Sequence, residues 1–134
     1  MIKVKAGTLY DSKNSFLILI SKHLNSGTAL KLKRVFFKLK TEWETFEEIR
    51  NEKVKLYGTL KEDKEYQISP GDEKWDEFFK EMKTVYDVEI NVDINKIYSD
   101  ELKTSDGKDI DIETMHLITL DWLIDDSKQE PALA

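Results

Sequence analysis

His23 and His116 are the only imidazoles in this 134-residue chain, and neither stands beside a residue that would make it a catalyst or a metal ligand. The absence of Cys removes thiolate nucleophiles, Cys-ligated zinc and disulfides together, and suits a reducing compartment such as the cytoplasm. No second His stands at metal spacing, and no G-x-S-x-G turn presents a nucleophilic Ser. Asp109, Asp111 and Glu113 alternate and would share one strand face, a pattern that can attract a divalent cation. An EF-hand loop ending at Glu113 would set Gly107 at its sixth position. Leu102 and Thr104 then occupy its first and third ligand positions, so the match fails. The scattered glycines build neither a G-x-x-x-x-G-K-[ST] nor a G-x-G-x-x-G phosphate cradle. The reading is a non-enzymatic chain with no catalytic residue, no metal and no cofactor.

What remains is the chemistry of binding. The first forty residues carry nine Lys/Arg against the single acid Asp11, while the rest carry twelve Lys/Arg against twenty-six Asp/Glu. That is a +8 arm joined to a −14 body, and the changeover falls inside one helix. Lys31, Lys33, Arg34, Lys38 and Lys40 give way to Glu42, Glu44, Glu47, Glu48 and Glu52. Cations near a helix N-terminus oppose the macrodipole, which an acidic partner would offset. Such polarity predicts charged partners and association that weakens with salt. Trp43 adds an aromatic side chain of the kind that anchors interfaces, with core packing as its competing role. The expected partner-binding residues are therefore Lys31, Lys33, Arg34, Lys38, Lys40, Trp43, Glu44, Glu47 and Glu48.

Several elements must position these groups. Ile2 and Val4 alternate with Lys3 and Lys5 as in a half-buried strand that Gly7 ends. Leu9, Phe16, Leu19, Ile20 and Leu24 recur at helical intervals over 8–24, and Asn25-Ser-Gly27 stops that helix. Thr28 is the expected N-cap of the longest helix, which runs without Gly or Pro to Tyr57 and is closed by Gly58. A rod of about thirty residues is roughly 45 Å long. It outreaches a domain whose radius of gyration is about 14 Å, so something must cover the overhang. Leu32, Phe36, Leu39, Trp43 and Phe46 form a coiled-coil-like stripe. The same register lands on Arg50 and Lys53, whereas Ile49, Leu56 and Leu60 take a shifted phase, so the stripe is expected to slip near residue 49.

Beyond a charged connector at 60–64 the expectation is a short strand at 66–68 and a turn at Ser69-Pro-Gly-Asp72. A core helix over 72–86 then carries Trp75, Phe78, Phe79, Met82 and Val85 on one face. Val88, Ile90, Val92 and Ile94 give the clearest strand alternation. A polar loop over 95–109 turns at Asp106-Gly107, Ile110 and Ile112 add a short strand, and a largely apolar helix spans 113–125. The predicted fold is α+β: a single domain over 1–125 with a helical hairpin at about 8–58, a small antiparallel sheet and two further helices, then a flexible tail over 126–134. The longest apolar run, Phe16 to Ile20, is far short of the ~20 residues of a membrane span, and the start lacks the pattern of a secretory signal.

The helix containing Phe46-Glu-Glu-Ile-Arg50 and reaching Tyr57-Gly58, the strand Asp87-Val-Glu-Ile-Asn-Val-Asp93 and the closing Leu120-Asp-Trp-Leu-Ile124 follow in a characteristic order. In this the chain resembles a family of small proteins of unknown function from tailed phages and prophages of Gram-positive bacteria. The resemblance implies a phage-encoded protein acting in the bacterial cytoplasm or built into a virion, and it carries over no catalytic residue. The expected function is a non-enzymatic module that binds a host protein complex and modulates or inhibits it, a defence or nucleic-acid-processing machine being the class in view. The alternatives are a virion or tail accessory protein and a nucleic-acid-binding protein acting through the basic helix segment. A homodimer through the long helix is a further option.

Overall fold

Alternation in the first residues produces β1 (Ile2–Lys5), whose Ile2 and Val4 point inward while Lys3 and Lys5 face water, in a computed structural model that describes residues 1–127. The expected tail falls mostly outside the described residues. Ala6 opens α1 (Ala6–Asp11) directly, so Gly7 does not end the strand but sits inside the first turn of a helix. α2 (Lys13–Ile20) follows after a break at Ser12, where one continuous helix was expected. The buried Ser12 hydroxyl donates to the Leu9 carbonyl at 2.8 Å, a local bond that competes with straight helix propagation.

α3 (Ser26–Tyr57) is the spine of the molecule, 32 residues and about 48 Å long. Its N-cap is Asn25 rather than Thr28: the Asn25 side-chain oxygen accepts from the Thr28 N–H at 3.0 Å. α1 and α2 run back along it as the expected hairpin, with Tyr10 stacked on Phe46 at 4.2 Å and Phe16 against Trp43 at 5.7 Å. Thr59–Leu60 (β2) and Tyr66–Gln67 (β3) form a small antiparallel hairpin just past the spine. α4 (Trp75–Tyr86) then returns along the far half of α3, and together they cover the overhang.

The strand signal at 88–94 is realised as β4 (Glu89–Val92), antiparallel to β1 with Ile2 opposite Val92 and Val4 opposite Ile90. Next come β5 (Ile97–Tyr98), a single 3-10 turn at Ser99–Glu101, and the Gly107 turn at φ +82°. Ile110 and Ile112 form no strand; they are half-buried loop residues against the core. The last helix, α5 (Thr114–Thr119), is half the expected length. The chain turns at Leu120–Leu123 so that β6 (Ile124–Asp125) can pair with β5, in parallel, with Ile124 opposite the fully buried Ile97. The architecture is α+β, with this one parallel pair beside the antiparallel ones.

Two apolar clusters share α3. The larger joins Ile2, Val4, Leu9, Phe16, Leu32, Leu39, Trp43 and Val92 to the C-terminal Leu120, Leu123 and Ile124. The smaller holds Phe46, Phe78 and Met82. Past Phe46 the α3 stripe slips only locally: Ile49, of the shifted phase, is half-buried and Arg50 exposed. Further on Lys53 and Tyr57, in the original register, face α4, while Leu56 and Leu60 are exposed. Polar bonds join the apolar contacts of Val54 and Tyr57 there. Lys53 Nζ lies 2.7 Å from a Glu81 carboxylate oxygen and the Tyr57 hydroxyl donates to the other at 2.7 Å.

Candidate partner-binding surfaces

One helix presents all nine sequence-predicted binding residues, but the folded chain treats them differently. Trp43 is 2% exposed, its indole N–H donates to the Leu9 carbonyl at 2.9 Å, and its ring lies 6.2 Å from that of Phe36. It is a core anchor tying α3 to α1, which corrects its assignment to a binding surface: its apolar area is already spent inside the fold. Glu47 is also committed, because its carboxylate accepts the Tyr10 hydroxyl proton and lies 3.9 Å from Arg50. Burial first, then this bond to Glu47, pushes the Tyr10 phenol up to about 12.

Three cations are held by the protein's own acids. Lys31 Nζ lies 3.0 Å from a Glu101 carboxylate oxygen, which also accepts the Tyr98 N–H at 3.0 Å. The Glu101 carbonyl accepts the Thr28 hydroxyl at 2.8 Å, so this acid fastens the start of α3 to the segment after β5. Lys38 donates to the Asp93 carbonyl at 2.5 Å and sits 3.7 Å from its carboxylate. Lys40 pairs with Glu44 one turn on, at 3.8 Å. These are surface pairs of small individual worth, yet each reduces the charge offered to a partner.

Lys33, Arg34 and Glu48 remain exposed and join no ion pair among the described residues. Lys33 and Arg34 lie between two apolar side chains on the outer face of α3: Leu30 is 53% exposed and Phe37 57%. Spacings of three, four and seven place Leu30, Lys33, Arg34 and Phe37 on one stripe opposite the buried Leu32 and Leu39. Arg34 also lines a shallow groove of about 440 Å³ between α3 and the end of β4, with Lys31, Lys38, Asp93 and Asn95. Leu30 was legible as a position opposite the buried stripe, a signal that a search for charge passes over.

A second surface lies on α4, whose apolar face is wider than α3 can cover. Phe78 and Met82 are buried, but Phe79 is 57% exposed and Trp75 half-buried, so a helix expected to be core on one face leaves part of it open. With Tyr86 they line a groove of about 470 Å³, edged by Arg50 and Lys83.

The remaining sites of interest are dispersed. His116 Nδ1 is hydrogen-bonded to the Ser15 hydroxyl at 2.9 Å, linking α5 to α2, and His23 is exposed. Asp109 pairs with Lys103, and among the described residues no three His, Asp or Glu converge in a geometry that could hold a metal ion. No helix among the described residues is long and apolar enough to cross a membrane. Compared with known protein families, curated proteins and solved structures, the chain shows no match.

Proposed function

We propose that this chain is a non-enzymatic protein-binding module that docks on an acidic, partly apolar surface of a larger complex through the outer face of α3. The observation that carries this reading is the stripe Leu30, Lys33, Arg34 and Phe37, two unpaired cations between two exposed apolar side chains. Aromatic residues and Arg are enriched at the centres of protein interfaces, and unpaired charge on the same patch steers encounter. A phosphate backbone would be tracked by a longer cationic row. Here Lys31 and Lys38, which would extend that row, are held by Glu101 and Asp93, and this favours a protein partner over nucleic acid. With the phage resemblance, the partner is a host macromolecular complex in the bacterial cytoplasm, which the bound module modulates or inhibits.

The test is affinity purification of the tagged protein from host cells at two salt concentrations. A defined host complex should be retained at low salt, released at high salt, and lost in Arg34→Glu/Phe37→Ala while the unfolding midpoint stays unchanged. Recovery in purified phage particles with no host complex would replace this reading with the virion one. A shift of labelled DNA or RNA with a steep salt slope would replace it with nucleic-acid binding.

A further inference from the structure

The α4 groove is separate from the α3 stripe and differs from it in chemistry. Seven residues line it, Arg50, Trp75, Phe78, Phe79, Met82, Lys83 and Tyr86, and none is acidic. This is so although the chain carries a net charge of −6 with 27 Asp/Glu. Lys83 joins no ion pair among the described residues, and Arg50 meets Glu47 only at 3.9 Å, an exposed contact that another carboxylate can replace. Between the cations lie a half-buried Trp, an exposed Phe and the edge of a buried Met. About 470 Å³ falls within the range of ~300–1,000 Å³ typical of ligand pockets. Trp75 and Phe79 stand 6.3 Å apart and tilted, so an inserted side chain can touch both rings.

We infer that this groove is a docking site for an acidic amphipathic segment of a partner protein. The segment's Leu or aromatic side chains enter against Trp75, Phe79 and Met82 while its flanking carboxylates face Arg50 and Lys83. The two cations define the polarity of the occupant: a basic segment would meet Lys83, which joins no ion pair among the described residues, and Arg50, offset only by Glu47 at 3.9 Å, while Asp11 stands at the Tyr86 hydroxyl. A second copy of this chain is the competing occupant. Its exposed Met115 and Ile118 have Asp111, Glu113 and Asp121 nearby in sequence.

Two pools of helical peptides test the site, both with Leu or Phe at positions i, i+3, i+4 and i+7. One carries Glu at the remaining positions and the other Lys. Binding to the full chain is read from tryptophan fluorescence and by calorimetry. The Glu pool should bind at least tenfold more tightly than the Lys pool. Phe79→Ala should weaken binding at least tenfold, and Arg50→Glu/Lys83→Glu should reverse the preference between pools. Arg34→Glu/Phe37→Ala should leave it unchanged, so failure here is distinguishable from failure of the α3 reading. The inference is overturned by equal binding of both pools, by no binding of either, or by a preference that survives the charge reversal. Sedimentation showing a concentration-dependent dimer that Phe79→Ala abolishes would assign the groove to a second copy instead.

Discussion

Gly7 and Gly27 occupy the same place in two helices, the second position of the first turn, and differ in what a methyl group would meet there. A Cβ on Gly27 finds only the Asn25 side-chain oxygen, at 3.5 Å, an ordinary contact. On Gly7 it would lie 1.9 Å from Tyr86 Cδ1, 2.6 Å from Cγ and 2.9 Å from Cβ. Cδ1 and Cγ can move only if the packed Tyr86 ring is turned out of its place about χ1, and Cβ, fixed by the α4 backbone, stays within 3 Å unless α4 shifts slightly. Ala is favoured over Gly inside a helix by up to about 1 kcal/mol, less near an end, so Gly27→Ala is expected to stabilise by about 0.5 kcal/mol. The same gain at Gly7 is outweighed by overpacking of about 1–3 kcal/mol, giving a net loss of about 2 kcal/mol for Gly7→Ala. Urea unfolding followed by far-UV circular dichroism would show opposite shifts of the two midpoints at unchanged slope. In a Tyr86→Ala background the ring is gone, and most of the Gly7→Ala penalty should vanish, a coupling that a double-mutant cycle isolates. The reasoning is refuted if Gly7→Ala proves as benign as Gly27→Ala, or if its penalty persists without the Tyr86 ring.

Trp43→Ala should cost about 3–5 kcal/mol in the same denaturation assay, whereas Lys33→Ala and Arg34→Ala should stay within about 0.5 kcal/mol of the parent. A loss below about 1 kcal/mol would return Trp43 to the surface. Hydrogen bonds from Lys53 and then Tyr57 hold the Glu81 carboxyl below its ordinary 4.5. Its contribution is therefore present above that value and lost as pH falls through the lower folded-state value. The unfolding midpoint of Glu81→Gln should consequently lie below the parent's at neutral pH and converge on it in acid. For Tyr10 the sign is the reverse. A folded value of about 12 against an ordinary 10.0 gives stability that is complete below pH 10.0 and lost as pH rises towards 12. Absorbance titration of the phenolates should show a late step near 12 that Tyr10→Phe removes.

The legible part of this fold is what short-range pattern dictates. Alternation at Ile2/Val4 and at Ile90/Val92 corresponds to β1 and β4, because a strand's two faces are fixed by a period of two. The uninterrupted run from Thr28 to Tyr57 lies within α3, since nothing in it breaks the backbone ladder. Its cap moved three residues because the Asn25 side chain reaches the Thr28 N–H, a choice between two capping residues one turn apart that composition does not rank. Helical periodicity over 8–24 and 113–125 was real, yet both segments are interrupted by bonds of the folded chain. Ser12 turns onto the Leu9 carbonyl, and Ile124 leaves the helix to pair with Ile97. The expected shift in the α3 stripe holds at half-buried Ile49 and exposed Arg50 but not at Leu56 and Leu60, because Lys53 and Tyr57 of the original register meet Glu81 of α4.

The sorting of charge along the chain, the absence of nucleophile and phosphate motifs, and the apolar periods of the main elements follow from the order of residues alone, because each is local. Which charges remain available does not. Lys31 meets Glu101 across 70 positions and Lys38 meets Asp93 across 55, so two of five cations are neutralised by acids that only the tertiary fold brings near. Trp43 was drawn inward because α1 offered it a carbonyl and Phe16 of α2 an aromatic wall, while Phe37 and Phe79 stayed outside because α3 and α4 each have one buried face. Burial of a side chain depends on what stands opposite it, and that is a property of packing rather than of sequence spacing.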